Sequence, residues 1–272
     1  MTLHGIAPHH FEIAPTSADL AASVADAFAS YICSIDAETI DVAIAGGFVA
    51  TTVLPALAAH TDAIDWSKIR IWWVDERFVP AGHKDRNDAE AIAQFLFRLP
   101  QLRLMPMPTD SGQGLEAART EFEAVWTREM AGKNLDLALL GMGPDGHFAS
   151  LFPHDEWLHL GSDAPPVLAV SHSPKPPPLR LSLSLPVIAA SREIWLATGG
   201  SSKAEAIGAA MTGASPAQWP VAALCAPALL PRLSLFLDQE AASHLTCETS
   251  CDAPTAPPDT VAAASKPPLH RP

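Results

Sequence analysis

Short, almost purely apolar runs recur along the chain, and most are closed by glycine or by charge. DVAIA at 41–45 ends in Gly46-Gly47, IRIWWV at 69–74 ends in Asp75-Glu76-Arg77, and the run at 135–140 ends in Gly141. The run at 193–198 leads into Gly199-Gly200, and 233–237 forms a last one. Runs without polar alternation suit strands buried on both faces, the condition of a parallel sheet. Segments 167–171 and 179–185 also read as strands. The stretches between carry helical spacing. In 17–35, Leu20, Val24, Phe28 and Ile32 recur every four residues, and 115–130 is amphipathic. ATTVLPALAAH reads as a helix that Pro55 kinks or delays. Asn87 with Glu90, and Ser202 with Glu205, match the capping-box spacing at two helix starts. Strands alternating with helices predict an α/β fold, a mostly parallel sheet with helices on both faces. In that architecture ligands bind beyond the carboxyl ends of the strands. Four loops therefore matter: Gly46-Gly47, Asp75 to Arg77, Gly141 to His147, and Gly199 to Lys203.

The charge balance narrows the partners. The chain has 272 residues, with 17 Lys+Arg against 30 Asp+Glu. A chain this acidic is a poor general binder of nucleic acid or anionic membrane, which demand clustered cations. An anionic small substrate has to be met by a few local ones. No apolar run approaches the roughly 20 residues that cross a bilayer, and the N-terminus lacks the pattern of a secretory signal. Cys33 and Cys225 sit in apolar sequence, and Cys247-x-x-x-Cys251 lacks the zinc spacing. Reduced thiols and a cytoplasmic location are expected, with no metal. After 245 the composition turns to Pro, Ala, Thr and Ser. Residues 1–245 are thus expected to be the folded domain and 246–272 a disordered tail.

Gly141-x-Gly143-x-x-Gly146 has the spacing of a dinucleotide fingerprint. Its context does not fit. The fingerprint belongs to the first strand-turn-helix unit, with a long helix after it and an acidic residue at the end of the next strand. Here it lies mid-chain, and Pro153 soon follows. The same loop holds Asp145 and His147, a carboxylate two residues from a group able to act as a general base near neutral pH. The plainer reading is a structural turn. Lys203, in the first turn of its helix, opposes the helix dipole unless an anion binds there. Arg180, in an apolar strand, reads equally as an exposed residue.

Four blocks, taken together, resemble the 6-phosphogluconolactonase family, within the wider group that includes glucosamine-6-phosphate deaminases. They are AIAGGF at 43–48, WWVDERFVPAGHKDRND at 72–88, LDLALLGMGPDGHFASLFP at 135–153, and the segment PKPPPLR to SSKAEAI at 174–207. The resemblance implies a Rossmann-like α/β domain of the NagB/RpiA/CoA transferase type and no cofactor. It implies hydrolysis of 6-phospho-D-glucono-1,5-lactone to 6-phosphogluconate in the oxidative pentose phosphate pathway. By the same resemblance His147 is the general base that activates water, and Asp145 orients it or contacts the sugar. Asp75 and Arg77 line the site, Arg77 facing the substrate's negative charge. Gly46 and Gly47 offer backbone donors to the phosphate beside Arg180 and Lys203, and Asn87 contacts the substrate. A monomer or small homo-oligomer is expected.

Two departures stand out. The family's Gly-Gly-Ser-Thr becomes Gly46-Gly47-Phe48-Val49 here, so both hydroxyls are missing. A lost charged hydrogen bond weakens binding by about 1–3 kcal/mol. Arg86 stands where a small Ser is common, and it is expected to compensate at the phosphate. The alternatives are a sugar-phosphate deaminase or isomerase on the same fold, and a non-catalytic sugar-phosphate-binding protein. GHFASLFP and the DER triplet favour the lactonase over the deaminase; retention of Asp145, His147, Arg180 and Lys203 together argues against a mere binder.

Overall fold

The computed structural model describes residues 7–159, 161 and 163–245. The expected disordered tail, with Cys247 and Cys251, lies outside these residues. In chain order the strands are β1 (His10–Ala14), β2 (Ile40–Ile44), β3 (Ile69–Trp73), β4 (Asp75–Arg77) and β5 (Arg103–Met105). They continue as β6 (Leu137–Leu140), β7 (Val167–Val170), β8 (Arg180–Leu183), β9 (Glu193–Thr198) and β10 (Leu233–Asp238). The α-helices are α1 (Ser17–Ser34), α2 (Leu54–Ala56), α3 (Asn87–Gln94), α4 (Leu115–Met130), α5 (Leu185–Ala189) and α6 (Ala204–Met211).

Seven strands form one all-parallel sheet in the order β1-β10-β9-β6-β2-β3-β5. Every residue of β2, β3 and β6 is buried, which is why these strands read as nearly continuous apolar runs, and the charges within β2 and β3, Asp41 and Arg70, pair with each other. Starting at β2, the chain winds outward to β3 and β5. It then returns to the other side of β2, at β6, and winds outward again through β9 and β10. The gap between the carboxyl ends of β2 and β6 is therefore a topological switch point, where an α/β sheet opens a crevice.

The expected single sheet needs one correction. β4, β8 and β7 form a separate antiparallel sheet of three strands. Segments 167–171 and 179–185 are indeed extended, but they pair with each other, and β8 also pairs with Asp75–Arg77, which is a short strand and not the expected loop. Apolar content alone does not say which sheet a strand joins.

Local signals explain most helices. In α1 the Thr16 side chain accepts from the Asp19 N–H, and Leu20, Val24, Phe28 and Ile32 are buried along one stripe. After Gly47 the helix starts as a π-turn, Val49–Val53, with the Leu54 N–H reaching back to Val49 O. Pro55 follows, and the segment tightens to a 3-10 turn at Leu57–His60. The proline, lacking an N–H, breaks the regular ladder as expected. α4 packs Phe122 and Trp126 edge-on against Trp72 of β3. No helix among the described residues is long and apolar enough to cross a membrane. Cys225 is buried as expected, whereas Cys33 is exposed.

Candidate active site

A pocket opens at the switch point. Its walls are Gly46, Gly47 and Phe48 after β2, and Gly141 to Gly143 with His147 after β6. The small sheet closes it with Asp75, Arg77 and Arg180, and α3 contributes Asn87. Seven of the residues singled out from sequence thus come together: Gly46, Gly47, Asp75, Arg77, Asn87, His147 and Arg180.

The glycine loop serves the histidine. Gly143 N–H donates to His147 O at 2.9 Å and Gly146 N–H to Gly143 O at 3.0 Å, closing a tight turn. Gly146 has φ +76°, a left-handed conformation open to glycine. A Cβ on Gly143 would lie 2.0 Å from His147 Cε1. The residues after Gly146 form turns and an isolated bridge between Phe148 and Leu151, not the helix a dinucleotide site needs. Ala149, on the pocket wall, also holds a left-handed φ of 48°, a strain of order 1 kcal/mol that clusters at functional loops.

His147 Nδ1 lies 2.5 Å from Asp145 Oδ1. Its ring stacks on Phe152, centroids 4.7 Å apart. Nδ1 is thereby engaged, and Nε2 has no hydrogen-bond partner among the described residues. Asp145 sits behind the histidine and outside the pocket wall. Burial would raise its carboxyl, but the hydrogen bonds and charges of His147 and Lys175 outweigh this and hold it well below the usual carboxylate range.

Arg77 and Arg180 are direct cross-strand partners on β4 and β8. Like charges facing each other repel. Asp75 partly offsets them, with its Oδ2 3.7 Å from Arg180 Nη1. Arg180 is buried, not exposed, and donates to the carbonyls of Pro177 at 3.2 Å and Lys175 at 3.0 Å. Burial lowers its pKa, with Arg77 adding to that and Asp75 opposing it. Arg77 gives Nη1 to Asp85 O at 2.8 Å, while its buried Nε has no partner among the described residues. Asp75 is itself held by the Ser150 hydroxyl at 2.6 Å. Asn87 donates from Nδ2 to Asp75 O at 3.0 Å, and its Oδ1 occupies the space a Cβ on Gly46 would need, 2.1 Å away. Gly46 is the price of that approach.

Three expectations fail on geometry. Asn87 does not cap its helix; it is the first helical residue. The cap is Glu76, whose Oε1 accepts from Asn87 N and Oε2 from Asp88 N, both at 2.8 Å. Arg86 does not reach the pocket. Its guanidinium donates to Asp88 at 2.8 and 2.6 Å and to the carbonyls of Met107 and Pro108, which commits four of its five N–H groups away from the pocket. The Ser202–Glu205 capping box is not formed; α6 is preceded by a 3-10 turn at Ser201–Lys203. The N–H groups of Gly200 and Ser201 there already donate to Asp238 and Glu240. Lys203 lies off the pocket wall. Burial, then the charge of Lys175, lowers its ammonium pKa, and Asp145 opposes.

Sequence reasoning missed Lys175, whose Nζ is 3.0 Å from Asp145 Oδ1 and 3.1 Å from His147 Nδ1. It is the sole lysine between Lys133 and Lys203, yet nothing in its proline-rich surroundings announces a contact 28 residues away. Ser150 and Glu76 were missed for the same reason: their partners, on β4 and α3, are brought to them by tertiary folding. Phe48 lines the pocket while Val49 is fully buried. The loss of both hydroxyls leaves an apolar wall on that side.

Comparison with known proteins adds an independent line. The family described as glucosamine-6-phosphate isomerases/6-phosphogluconolactonase matches residues 15–229. The 6-phosphogluconolactonase of Mycobacterium tuberculosis is 40% identical over 190 residues, 66% of this chain and 76% of that protein. That of Streptomyces coelicolor is 39% identical over 217 residues, 75% of this chain and 81% of that protein. The solved 6-phosphogluconolactonase of Trypanosoma cruzi superposes with a TM-score of 0.76 at 19% identity, covering 91% of this chain and 99% of that one. At that identity the superposition speaks for the fold.

Proposed function

The chain belongs to the family of glucosamine-6-phosphate isomerases and 6-phosphogluconolactonases, and we infer that residues 1–245 form a lactonase domain in which His147 is the base. The activity is that of a 6-phosphogluconolactonase: 6-phospho-D-glucono-1,5-lactone is hydrolysed to 6-phosphogluconate, within the pentose phosphate pathway. The observation that carries the assignment of the base is the Asp145–His147 contact beneath a pocket with two arginines on its far wall.

Nδ1–H donates to Asp145, so the Nε2 lone pair is the free acceptor. A water held at Nε2 loses its proton as its oxygen bonds to the lactone carbonyl carbon. The carbonyl oxygen becomes an oxyanion, stabilised by donors fixed in advance. Collapse of the intermediate breaks the bond to the ring oxygen. The imidazolium then returns its proton to that leaving oxygen, and His147 is neutral again. A δ-lactone is an activated ester, so base and water suffice for this sequence. Arg77 and Arg180 form the positive wall that holds the substrate's anionic group. An anion between them relieves their cross-strand repulsion and gives the Arg77 Nε a partner. Gly46, Gly47 and Asn87 position the sugar, and Lys203 adds positive field from outside the wall. Asp75, held by Ser150, keeps the arginine pair together. These assignments are the reading that best accounts for the geometry, and a cytoplasmic location suits the free thiols of Cys33 and Cys225.

The test is lactone hydrolysis above the spontaneous rate, with substrate generated in place from glucose-6-phosphate by its dehydrogenase. Wild type is expected to accelerate it, and His147→Ala to lose 10²-fold or more of kcat, the scale of general base catalysis. A His147→Ala protein of undiminished kcat would remove His147 from the mechanism.

A further inference from the structure

We propose that Lys175 is a positioning residue that keeps the His147 imidazole in its neutral, proton-accepting form by engaging the single negative charge of Asp145. This rests on the reading of His147 as the base.

Three atoms meet at one point. Asp145 Oδ1 is 2.5 Å from His147 Nδ1 and 3.0 Å from Lys175 Nζ, and the two nitrogens are 3.1 Å apart. An ammonium has no lone pair, and a protonated Nδ1 has none to offer it. Both groups therefore donate to the same oxygen. One carboxylate charge serves two neighbours.

The consequence follows from comparing the cluster with an isolated Asp–His pair. A lone carboxylate beside an imidazole favours the imidazolium. Such a histidine stays protonated to higher pH, which narrows the range in which it can take a proton from water. In this chain the carboxylate is already neutralised by an ammonium in the same contact. Capturing a proton on Nε2 then creates a second cation beside the first. The surroundings act in the same direction. Lys203 bears on Lys175 and Asp145, and Arg77 and Arg180 share the pocket wall. Asp75 is the opposing anion there, and it is bound to Ser150 and faces Arg180. Phe152, stacked on the ring, is uncharged.

The lysine is held in place. Its own carbonyl accepts from Arg180 Nη2 at 3.0 Å and from the Ser173 hydroxyl at 2.8 Å. The same arginine that lines the pocket thus fixes the loop that delivers the ammonium. The arrangement also favours the second half of the reaction, because an imidazolium denied its counter-ion gives its proton up readily to the leaving oxygen.

The experiment is an imidazole NMR titration of His147 in the substrate-free protein, its signal assigned by loss in His147→Ala. Wild type, Lys175→Met and Lys175→Arg are compared, with the acidic limb of the kcat–pH profile measured alongside. Lys175 is partly exposed, so solvent screens its charge. Lys175→Met is expected to raise the His147 midpoint by about one pH unit and to move the acidic limb of kcat the same way. Lys175→Arg, which keeps the charge, is expected to restore wild-type values. An unmoved or lowered midpoint in Lys175→Met overturns the proposal, as does Lys175→Arg behaving like Lys175→Met. The titration needs no substrate. An inactive wild type would therefore sink the lactonase reading while leaving the effect of Lys175 on His147 to be judged separately.

Discussion

Gly143 has the least latitude of any residue in the site. A side chain there would press on the His147 ring at 2.0 and 2.1 Å and on Asp145 Oδ1 at 2.7 Å. Neither group can retreat, because the ring is stacked on Phe152 and its nitrogen is tied to the carboxylate. Gly143→Ala is therefore expected to lower kcat about 10²-fold by misplacing the base, while the circular dichroism spectrum stays that of the wild type. Unchanged kcat would mean that the ring tolerates displacement. Spacing alone presents the three glycines of this loop as equivalent. In the fold they have different grounds: Gly143 makes room for the histidine, Gly146 takes a left-handed turn, and Gly141 meets nothing closer than 3.8 Å.

At the scale of elements, α3 shows where sequence reading stops. Its start was legible, since Asn87 opens it, but its cap was not. Glu76 comes from β4, eleven residues back, and accepts from Arg77 N, Asn87 N and Asp88 N. Capping rules search the few residues around a helix start and cannot see a partner brought by tertiary folding. The same limit hid the pairing of β4 with β8 and the contact of Lys175. The buried parallel strands and α1 were legible because the information lies in their own residues. Burial raises the Glu76 carboxyl to about 7, with the Arg86 charge and the backbone N–H groups opposing. A folded-state value above the unfolded one means that this stability is full at pH below the unfolded value and fades as pH rises through 7. Glu76→Gln cannot ionise and lacks that fade. It also loses one acceptor, so it is expected to have the lower Tm at pH 5 and to recover relative to wild type by pH 8. A constant Tm difference across that range would show that Glu76 does not titrate there.

For the whole molecule, the governing feature is the reversal of winding at β2 and β6. Gly46, Gly47, Asp75, Arg77 and Asn87 precede the exposed turn at 111–114, and Asp145, His147, Lys175, Arg180 and Lys203 follow it. The two sections are also laced together. β1 from the first lies on β10 of the second, and β4 pairs with β8. Cutting within the exposed turn is expected to give two fragments, each inactive alone, that hydrolyse the lactone when refolded together. Hydrolysis by either fragment by itself would contradict the division of the site. Since both directions of winding must be completed before base and cations face each other, catalysis in this fold acts as a checksum on topology. A half-threaded chain has no working centre with which to act on the wrong molecule.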